Sequence, residues 1–406
     1  MPYQGDNMLR VRRNNRSAAL RMLHERGSLS RKRLAESLGL TPAAITKIVG
    51  EMIAEGLVSE GMALKGEGAG RREVMVELSV RSRAALGLFI NLRQAILSAV
   101  WLDGTVIFSE ELTLRPGAPA DETVRSLCAR LLTLAREHEL ECDRLLGIGV
   151  AMRGVASEDG RVVRNSYSAL DTLDYPLCAR VEELTGLKCL MSNNVRALFA
   201  AQMFLSRDRD LRSQFFVRCE VGIGASFAIG DEIWLGSSGQ CAEIGHIPVV
   251  RRGGKPCSCG KSGCLETVAS PSALVRDARE LLEKGEAELL RRICERRGVR
   301  PGLEEVFEAA CGGDAAVAAL VDRAVEALGG ALRSVVYTLD PGKIVLYGAL
   351  FDNPYYLSRL LAELREGVDA SHAVPVEKSR LNHQLEDRAA PLLVVERFLA
   401  CGGMSE

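Results

Sequence analysis

Ala18, Leu20, Leu23 and their neighbours stand at helical spacing over residues 14–26, and Gly27 stops the run. Ser30 can cap a second helix that continues through Leu38 and ends at Gly39. Thr41 can cap a third, with Pro42 in the first-turn position where its missing N–H costs nothing. In that third helix Ile45, Ile48, Val49 and Met52 repeat at three and four residues and are predicted to face a core, which leaves Ala43, Ala44, Thr46 and Lys47 pointing outward. After Gly56 the period shortens to two, and residues 57–60 and 74–78 predict two strands of a wing, joined by the Gly-rich, basic run 66–72. A short helix, a tight Gly turn and a second helix with small outward residues form the helix-turn-helix pattern, because small side chains let a helix enter the major groove. A dimerisation module of three amphipathic helices has the same pattern, so periodicity alone leaves both readings open.

Beyond residue 82 strands and helices alternate. Strands are predicted at 84–90, 95–101, 106–112 and 146–151, with a helix over 123–140. A second set begins at 215–229 and continues at 344–347. This is an α/β layout in two lobes, with the polar run Arg207-Asp208-Arg209-Asp210 between them.

The net charge of −1 hides an asymmetry. Residues 1–80 carry 13 Lys and Arg against 9 Asp and Glu, or +4, and the remainder carries 39 against 44, or −5. The positive end is the natural partner for a polyanion. The first residues lack the basic-then-apolar profile of a signal peptide, and no run reaches the roughly 18 apolar residues of a membrane span, so a cytoplasmic protein without membrane insertion is expected. In that compartment twelve cysteines point to thiols and a metal site rather than to disulfides.

The strongest chemical pattern is His246, Cys257, Cys259 and Cys264 in Gly- and Pro-rich surroundings. Three thiolates and an imidazole satisfy tetrahedral zinc, and Gly253, Gly254, Gly260 and Gly263 let a short loop fold around the ion. All four positions are filled by protein, so one structural Zn2+ per chain is expected, with no open position for an activated water. Free thiols beside an unrelated histidine are the alternative.

The stretch Glu243-Ile244-Gly245-His246-Ile247-Pro248, followed by residues 257–267 (Cys-Ser-Cys-Gly-Lys-Ser-Gly-Cys-Leu-Glu-Thr), resembles the signature of the ROK family of repressors, open reading frames and kinases. Residues 40–49 are similar to the recognition helix of the glucose-, N-acetylglucosamine- and xylose-responsive repressors of that family. The resemblance implies a winged helix-turn-helix followed by an actin-like, two-lobed ATPase fold, assembled as a dimer or tetramer. It divides the chain into a DNA-binding domain at 1–80, a first lobe at 84–197 joined by the C-terminal helix 387–400, and a second lobe with the zinc site at 198–380. It also implies sugar contacts from Asn193, Asn194, Glu243, His246 and Glu266, with Gly154 and Asn165 standing where further contacts often lie. Carboxylates and amides suit adjacent hydroxyls, and zinc on one nitrogen of His246 would leave the other for a hydroxyl.

Against a kinase, the sequence departs from the family pattern at four places. Asp-x-Gly-Gly-Thr of the first phosphate loop is replaced by Phe89-Ile90-Asn91-Leu92-Arg93, and the catalytic Asp by Asn194. In the second phosphate loop, residues 220–226, Val221 stands for Thr, and Tyr347 replaces one glycine of the adenosine pair. The expected function is therefore a repressor of carbohydrate-metabolism genes that binds operator DNA and senses a sugar without catalysis. Thr41, Ala43, Ala44, Thr46 and Lys47 would approach bases, and Arg31, Lys32, Arg33, Arg71 and Arg72 the phosphates or the minor groove. A sugar kinase with residual ATP-dependent activity and a repressor controlled by a protein partner are the rival readings.

Overall fold

The computed structural model describes residues 8–61, 73–115, 117–157, 160–166, 170, 172–206, 212–381 and 385–404. It divides into two compact units: Met1–Arg207 with Gln384–Glu406, and Asp208–His383. The polar run 207–210 lies outside the described residues.

The first unit opens with α1 (Met8–Arg26), β1 (Leu29–Ser30), α2 (Arg31–Leu38), α3 (Pro42–Ala54), β2 (Val58–Glu60) and β3 (Met75–Leu78). The predicted caps form: the Ser30 hydroxyl accepts from the Arg33 N–H at 3.3 Å and the Thr41 hydroxyl from the Ala44 N–H at 3.2 Å. Gly39 ends α2 at φ 64, a conformation an L side chain resists. Ile45, Ile48, Val49 and Met52 are buried with Leu20, Leu23, Leu34 and Val76. The three strands pair antiparallel in the order β1-β3-β2, the wing of a winged helix-turn-helix. α1 starts at Met8 rather than at 14, because Met8 to Arg13 contains no helix breaker yet leaves Met8, Leu9 and Val11 exposed and so shows no burial period.

The unit continues with β4 (Ala84–Ile90), β5 (Gln94–Trp101), β6 (Val106–Thr113), α4 (Ala120–Glu137), β7 (Leu145–Met152), three short antiparallel strands β8 (Gly154–Ala156), β9 (Val163–Ser166) and β10 (Leu173–Tyr175), then α5 (Leu177–Thr185), β11 (Cys189–Asn193) and α6 (Asn194–Ser206). The predicted helix over 123–140 is instead α4, which is followed by Glu139 at φ 56. The main sheet runs β11-β7-β4-β5-β6, with β4, β5 and β6 an antiparallel meander and β7 and β11 added in parallel. Leu127, Leu131 and Val181 of α4 and α5 share a buried cluster with Leu86, Leu88 and Val150 of the strands.

In the second unit β12 (Ser213–Cys219), β13 (Ile223–Ile229) and β14 (Glu232–Ile233) form the meander, followed by α7 (Glu266–Ala269), α8 (Pro271–Glu283), α9 (Glu288–Arg297), α10 (Leu303–Cys311), the long α11 (Ala315–Leu339), β15 (Ile344–Tyr347), α12 (Ala349–Asp352), α13 (Pro354–Gly367) and β16 (Val376–Lys378). The second set expected from 215–229 onward thus opens as two strands, separated by the turn at Glu220 to Gly222. The sheet order is β14-β13-β12-β15-β16, with β15 parallel to both β12 and β16. Numbered within each unit, both main sheets read third-second-first-fourth-fifth, so one architectural plan occurs twice.

The chain then returns to the first unit as α14 (Glu386–Ala400). Its interior Pro391 lies against Gly87 and Gly149, which sit side by side on β4 and β7. A Cβ on Gly149 would stand 1.8 Å from the Ala390 carbonyl oxygen, and one on Gly87 would stand 2.2 Å from Pro391 Cδ. The two glycines make a notch in the sheet that admits the helix backbone.

Candidate functional site

On α3, Thr41, Ala43, Thr46 and Lys47 are exposed and Ala44 is half-buried, so the predicted outward face faces outward. Thr46 Oγ1 donates to the Pro42 carbonyl at 2.7 Å, which orients its hydroxyl. Lys32 and Arg33 are exposed on α2, whereas Arg31 is turned to Glu60 of β2 at 2.7 Å and braces the wing. Arg71 and Arg72 lie outside the described residues, as does the whole run 62–72.

Arg16 of α1 is fully buried. Its guanidinium bonds both carboxylate oxygens of Glu55, one at 2.9 Å, and its Nε donates to the Gly402 carbonyl at 2.8 Å. One buried cation thus ties α1, the end of α3 and the segment after α14 together.

In the second unit, a 3-10 turn at Ile244–His246 follows Glu243, and Gly245 lets it approach β13, where a Cβ would meet the Ile223 carbonyl oxygen at 2.2 Å. The turn carries His246 to the three cysteines. His246 Nδ1 is 3.5 Å from Cys257 Sγ, Cys259 Sγ is 3.6 Å from Cys264 Sγ, and all four ligand atoms lie within 4.8 Å of one another. Short backbone pairings close the loop: Val249 and Val250 N–H groups both donate to the Gly263 carbonyl, and Leu265 donates to Ile247. The Lys261 backbone N–H holds the Cys259 thiol below the usual range, while burial, first, and the neighbouring thiols push Cys264 up to about 12. Three crowded sulfurs and an imidazole at these separations can hold a metal ion.

Glu243 is exposed and Glu266 half-buried, and Glu266 Oε2 accepts from the Ile223 N–H at 3.1 Å. In the first unit Asn193 and Asn194 lie where β11 passes into α6. Asn193 Nδ2 donates to the Gly154 carbonyl at 3.0 Å, and the Val195 N–H is shared by Asn193 Oδ1 at 2.8 Å and Asn194 Oδ1 at 3.0 Å. Gly154 follows β7 and Asn193 ends β11, so both stand at the carboxyl ends of adjacent parallel strands, where open α/β sheets take ligands.

The ROK family model matches residues 96–392, most of the chain. The chain belongs to the ROK family. Ahead of the ROK region, a MarR family model matches residues 14–60, the segment of α1 to β2. The chain is 24% identical over 382 residues to the DNA-binding transcriptional dual regulator NagC of Escherichia coli K12, spanning 92% of this chain and 90% of that one. It is 31% identical over 217 residues to a glucokinase of Halalkalibacterium halodurans, spanning 53% of this chain and 65% of that one. In fold it resembles the crystal structure of a ROK family transcriptional regulator, a homolog of the E. coli MLC protein, with a TM-score of 0.79, 22% identity and coverage of 97% of this chain and 98% of that one.

The stretches that the resemblance aligns with the kinase phosphate and adenosine positions lie at the ends of strands of both units. Asn91 to Gln94 close a tight hairpin, with the Asn91 N–H donating to the Gln94 carbonyl at 2.9 Å and Leu92 exposed. At the end of β12, Glu220 Oε1 accepts from the Ala349 N–H at 2.9 Å, directly beyond β15. Tyr347 is buried and stacks on Phe216 with ring centroids 5.8 Å apart. Glu220 opens the run 220–226 that the resemblance marks as a phosphate loop, and the sequence assigned its carboxylate no role.

Proposed function

We propose that the chain is a cytoplasmic DNA-binding transcriptional repressor of carbohydrate-metabolism genes, controlled by a sugar or sugar derivative and without phosphoryl transfer. The observation that carries this reading is the union of an exposed recognition face on α3 with a ROK region in which the expected catalytic base is an amide, Asn194. An amide hydrogen-bonds a hydroxyl but takes no proton from it at neutral pH, and losing a general base alone costs about 10²–10⁴ in rate. The Glu220 carboxylate on the Ala349 N–H adds negative charge in the run that the resemblance aligns with a phosphate loop. The similarity to NagC, a DNA-binding transcriptional dual regulator, supports the same reading.

Asn193, Asn194, Glu243, His246 and Glu266 are the proposed sugar contacts. Thr41, Ala43, Ala44, Thr46 and Lys47, with Arg71 and Arg72, are the proposed DNA contacts. The ion is proposed to be zinc: Zn–S of about 2.3 Å and Zn–N of about 2.0 Å at tetrahedral angles put sulfur and nitrogen roughly 3.5 Å apart and two sulfurs roughly 3.8 Å apart. The 3.5 Å and 3.6 Å separations fit that geometry, and Nδ1 as the ligand leaves Nε2 of His246 for a hydroxyl. The domains expected at 1–80, 84–197 with 387–400, and 198–380 are proposed with the second boundary moved past α6, which lies whole in the first unit; the chain is proposed to assemble as a homo-oligomer, and two heads of a dimer would read half-sites about one turn of DNA apart. No helix among the described residues is long and apolar enough to cross a membrane.

The test uses the full chain to select duplexes from a random pool, then measures affinity for the selected DNA with N-acetyl-D-glucosamine, D-glucose and D-xylose, alongside a coupled assay with ATP. Selection of a palindromic site, a shift with one sugar and no turnover are expected. Turnover with ATP would replace this reading by a kinase, the reading that the glucokinase relative favours.

A further inference from the structure

α6 spans thirteen residues, roughly 20 Å at 1.5 Å per residue, and its two ends serve different parts of the first unit. Asn194, buried, opens it beside Asn193. Near its far end Phe204, also buried, stacks its ring on that of His24, with centroids 4.1 Å apart and planes 29° apart. The Phe204 carbonyl oxygen is 3.3 Å from His24 Nε2. His24 belongs to α1, whose Leu20 and Leu23 form part of the helix-turn-helix core.

α1 has a second foothold on α14 and the segment after it: Arg21 pairs with Glu396 at 3.3 Å, and Arg16 holds the Gly402 carbonyl. Among the described residues α1 therefore has footholds on α6, which begins at Asn194, and on α14 with the segment after it. A displacement of α6 along or about its axis moves the His24 foothold while Arg16 and Arg21 stay on the other, so α1 tilts. Arg16 also grips Glu55 at the end of α3, which passes the tilt to the recognition helix.

We propose that α6 is a rod that transmits sugar occupancy at Asn193 and Asn194 to the DNA-binding head, with the Phe204–His24 stack as its coupling. The proposal rests on the reading of Asn193 and Asn194 as sugar contacts. A hydroxyl that draws the Asn193 amide from the Gly154 carbonyl changes the restraint on the start of α6, and a helix moves as a body because its packed interface favours discrete arrangements. Phe204 and His24 touch neither sugar nor DNA in this scheme; they position the head.

The experiment measures selected-DNA affinity with and without N-acetyl-D-glucosamine, D-glucose or D-xylose, in the wild-type chain and in the Phe204→Ala and His24→Gln variants. Sugar affinity without DNA is measured in parallel. In wild type the sugar changes DNA affinity by a factor of roughly 5–150, the usual range of coupling between sites. In the variants that factor falls below about 2, while sugar affinity without DNA stays within about twofold and both variants still bind DNA. His24→Gln keeps a hydrogen-bonding group and removes the ring, so the comparison survives if Phe204→Ala does not fold. A folded variant that keeps the wild-type factor overturns the rod and leaves the sugar-responsive reading standing. A wild-type factor of 1 with all three sugars sinks that reading, and the rod with it.

Discussion

Replacing Cys259 by alanine removes one of four ligands from a cluster that spans His246 to Cys264. A cross-link closing a loop of roughly 15–20 residues withdraws about 3 kcal/mol of freedom from the unfolded chain, and an ion bound at both ends of this loop acts in the same way. Two features adjust that figure. The loop is also held by pairings such as Val249 to Gly263 at 2.9 Å and Leu265 to Ile247 at 2.8 Å, and by Lys255 bonded to Asp277 at 2.8 Å, so it does not open fully when the ion leaves. Against this, the buried sulfurs of Cys257 and Cys264 lose the cation between them. A loss of about 2–4 kcal/mol is expected for the unit Asp208–His383, and at roughly 2–4 °C per kcal/mol for a domain of that size its melting point falls by roughly 5–15 °C. Calorimetry with and without a chelator, with metal content by mass spectrometry, checks this. Wild type holds about one zinc per chain and descends to the variant's melting point in chelator, while Cys259→Ala is metal-poor and indifferent to it. The exposed Cys142, replaced by alanine, serves as the control and changes neither quantity. A metal-free wild type melting within a degree of the zinc-loaded protein would refute the reasoning.

Two further outcomes follow from the first unit. Gly149→Ala drives a methyl group into the Ala390 backbone and is expected to destabilise by about 1–3 kcal/mol or more, read in urea unfolding; an unchanged midpoint would mean that α14 does not occupy the notch. Lys47→Ala is expected to relax sequence preference, whereas Arg71→Ala with Arg72→Ala weakens binding to all duplexes and flattens the salt dependence by roughly two phosphate contacts; equal losses on selected and random DNA for Lys47→Ala would remove it from the base-reading face.

What the sequence disclosed was what depends on neighbours in the chain. Ser30 and Thr41 each cap a helix through an N–H three residues on, and a period of three and four is enough to choose the buried face of α3. The gathering of His246, Cys257, Cys259 and Cys264 was legible for the same reason, since the four share one short stretch of chain. The turn at Glu220 to Gly222 was legible only through the resemblance, which marks 220–226 as a loop; the alternation over 215–229 does not by itself show where one strand ends and the next begins. Nor could any period connect Gly87 and Gly149 to Pro391, or Arg16 to Gly402, contacts that only the folded topology creates. Asn193 and Asn194 were reached through resemblance alone; composition does not distinguish them from any polar pair at the head of a helix.

The return of α14 to the first unit also sets an order of assembly. On the ribosome the residues of the second unit, Asp208–His383, emerge as one uninterrupted stretch and can fold as soon as they clear the exit tunnel. The first unit must wait: the notch at Gly87 and Gly149 stays open to water until Pro391 is synthesised, and Arg16 lacks its carbonyl until translation passes Gly402. The segment made first is therefore completed last. A chain cut short inside the second unit leaves the ribosome with its DNA-binding head unanchored and a sheet face uncovered, which marks it for chaperones and proteases.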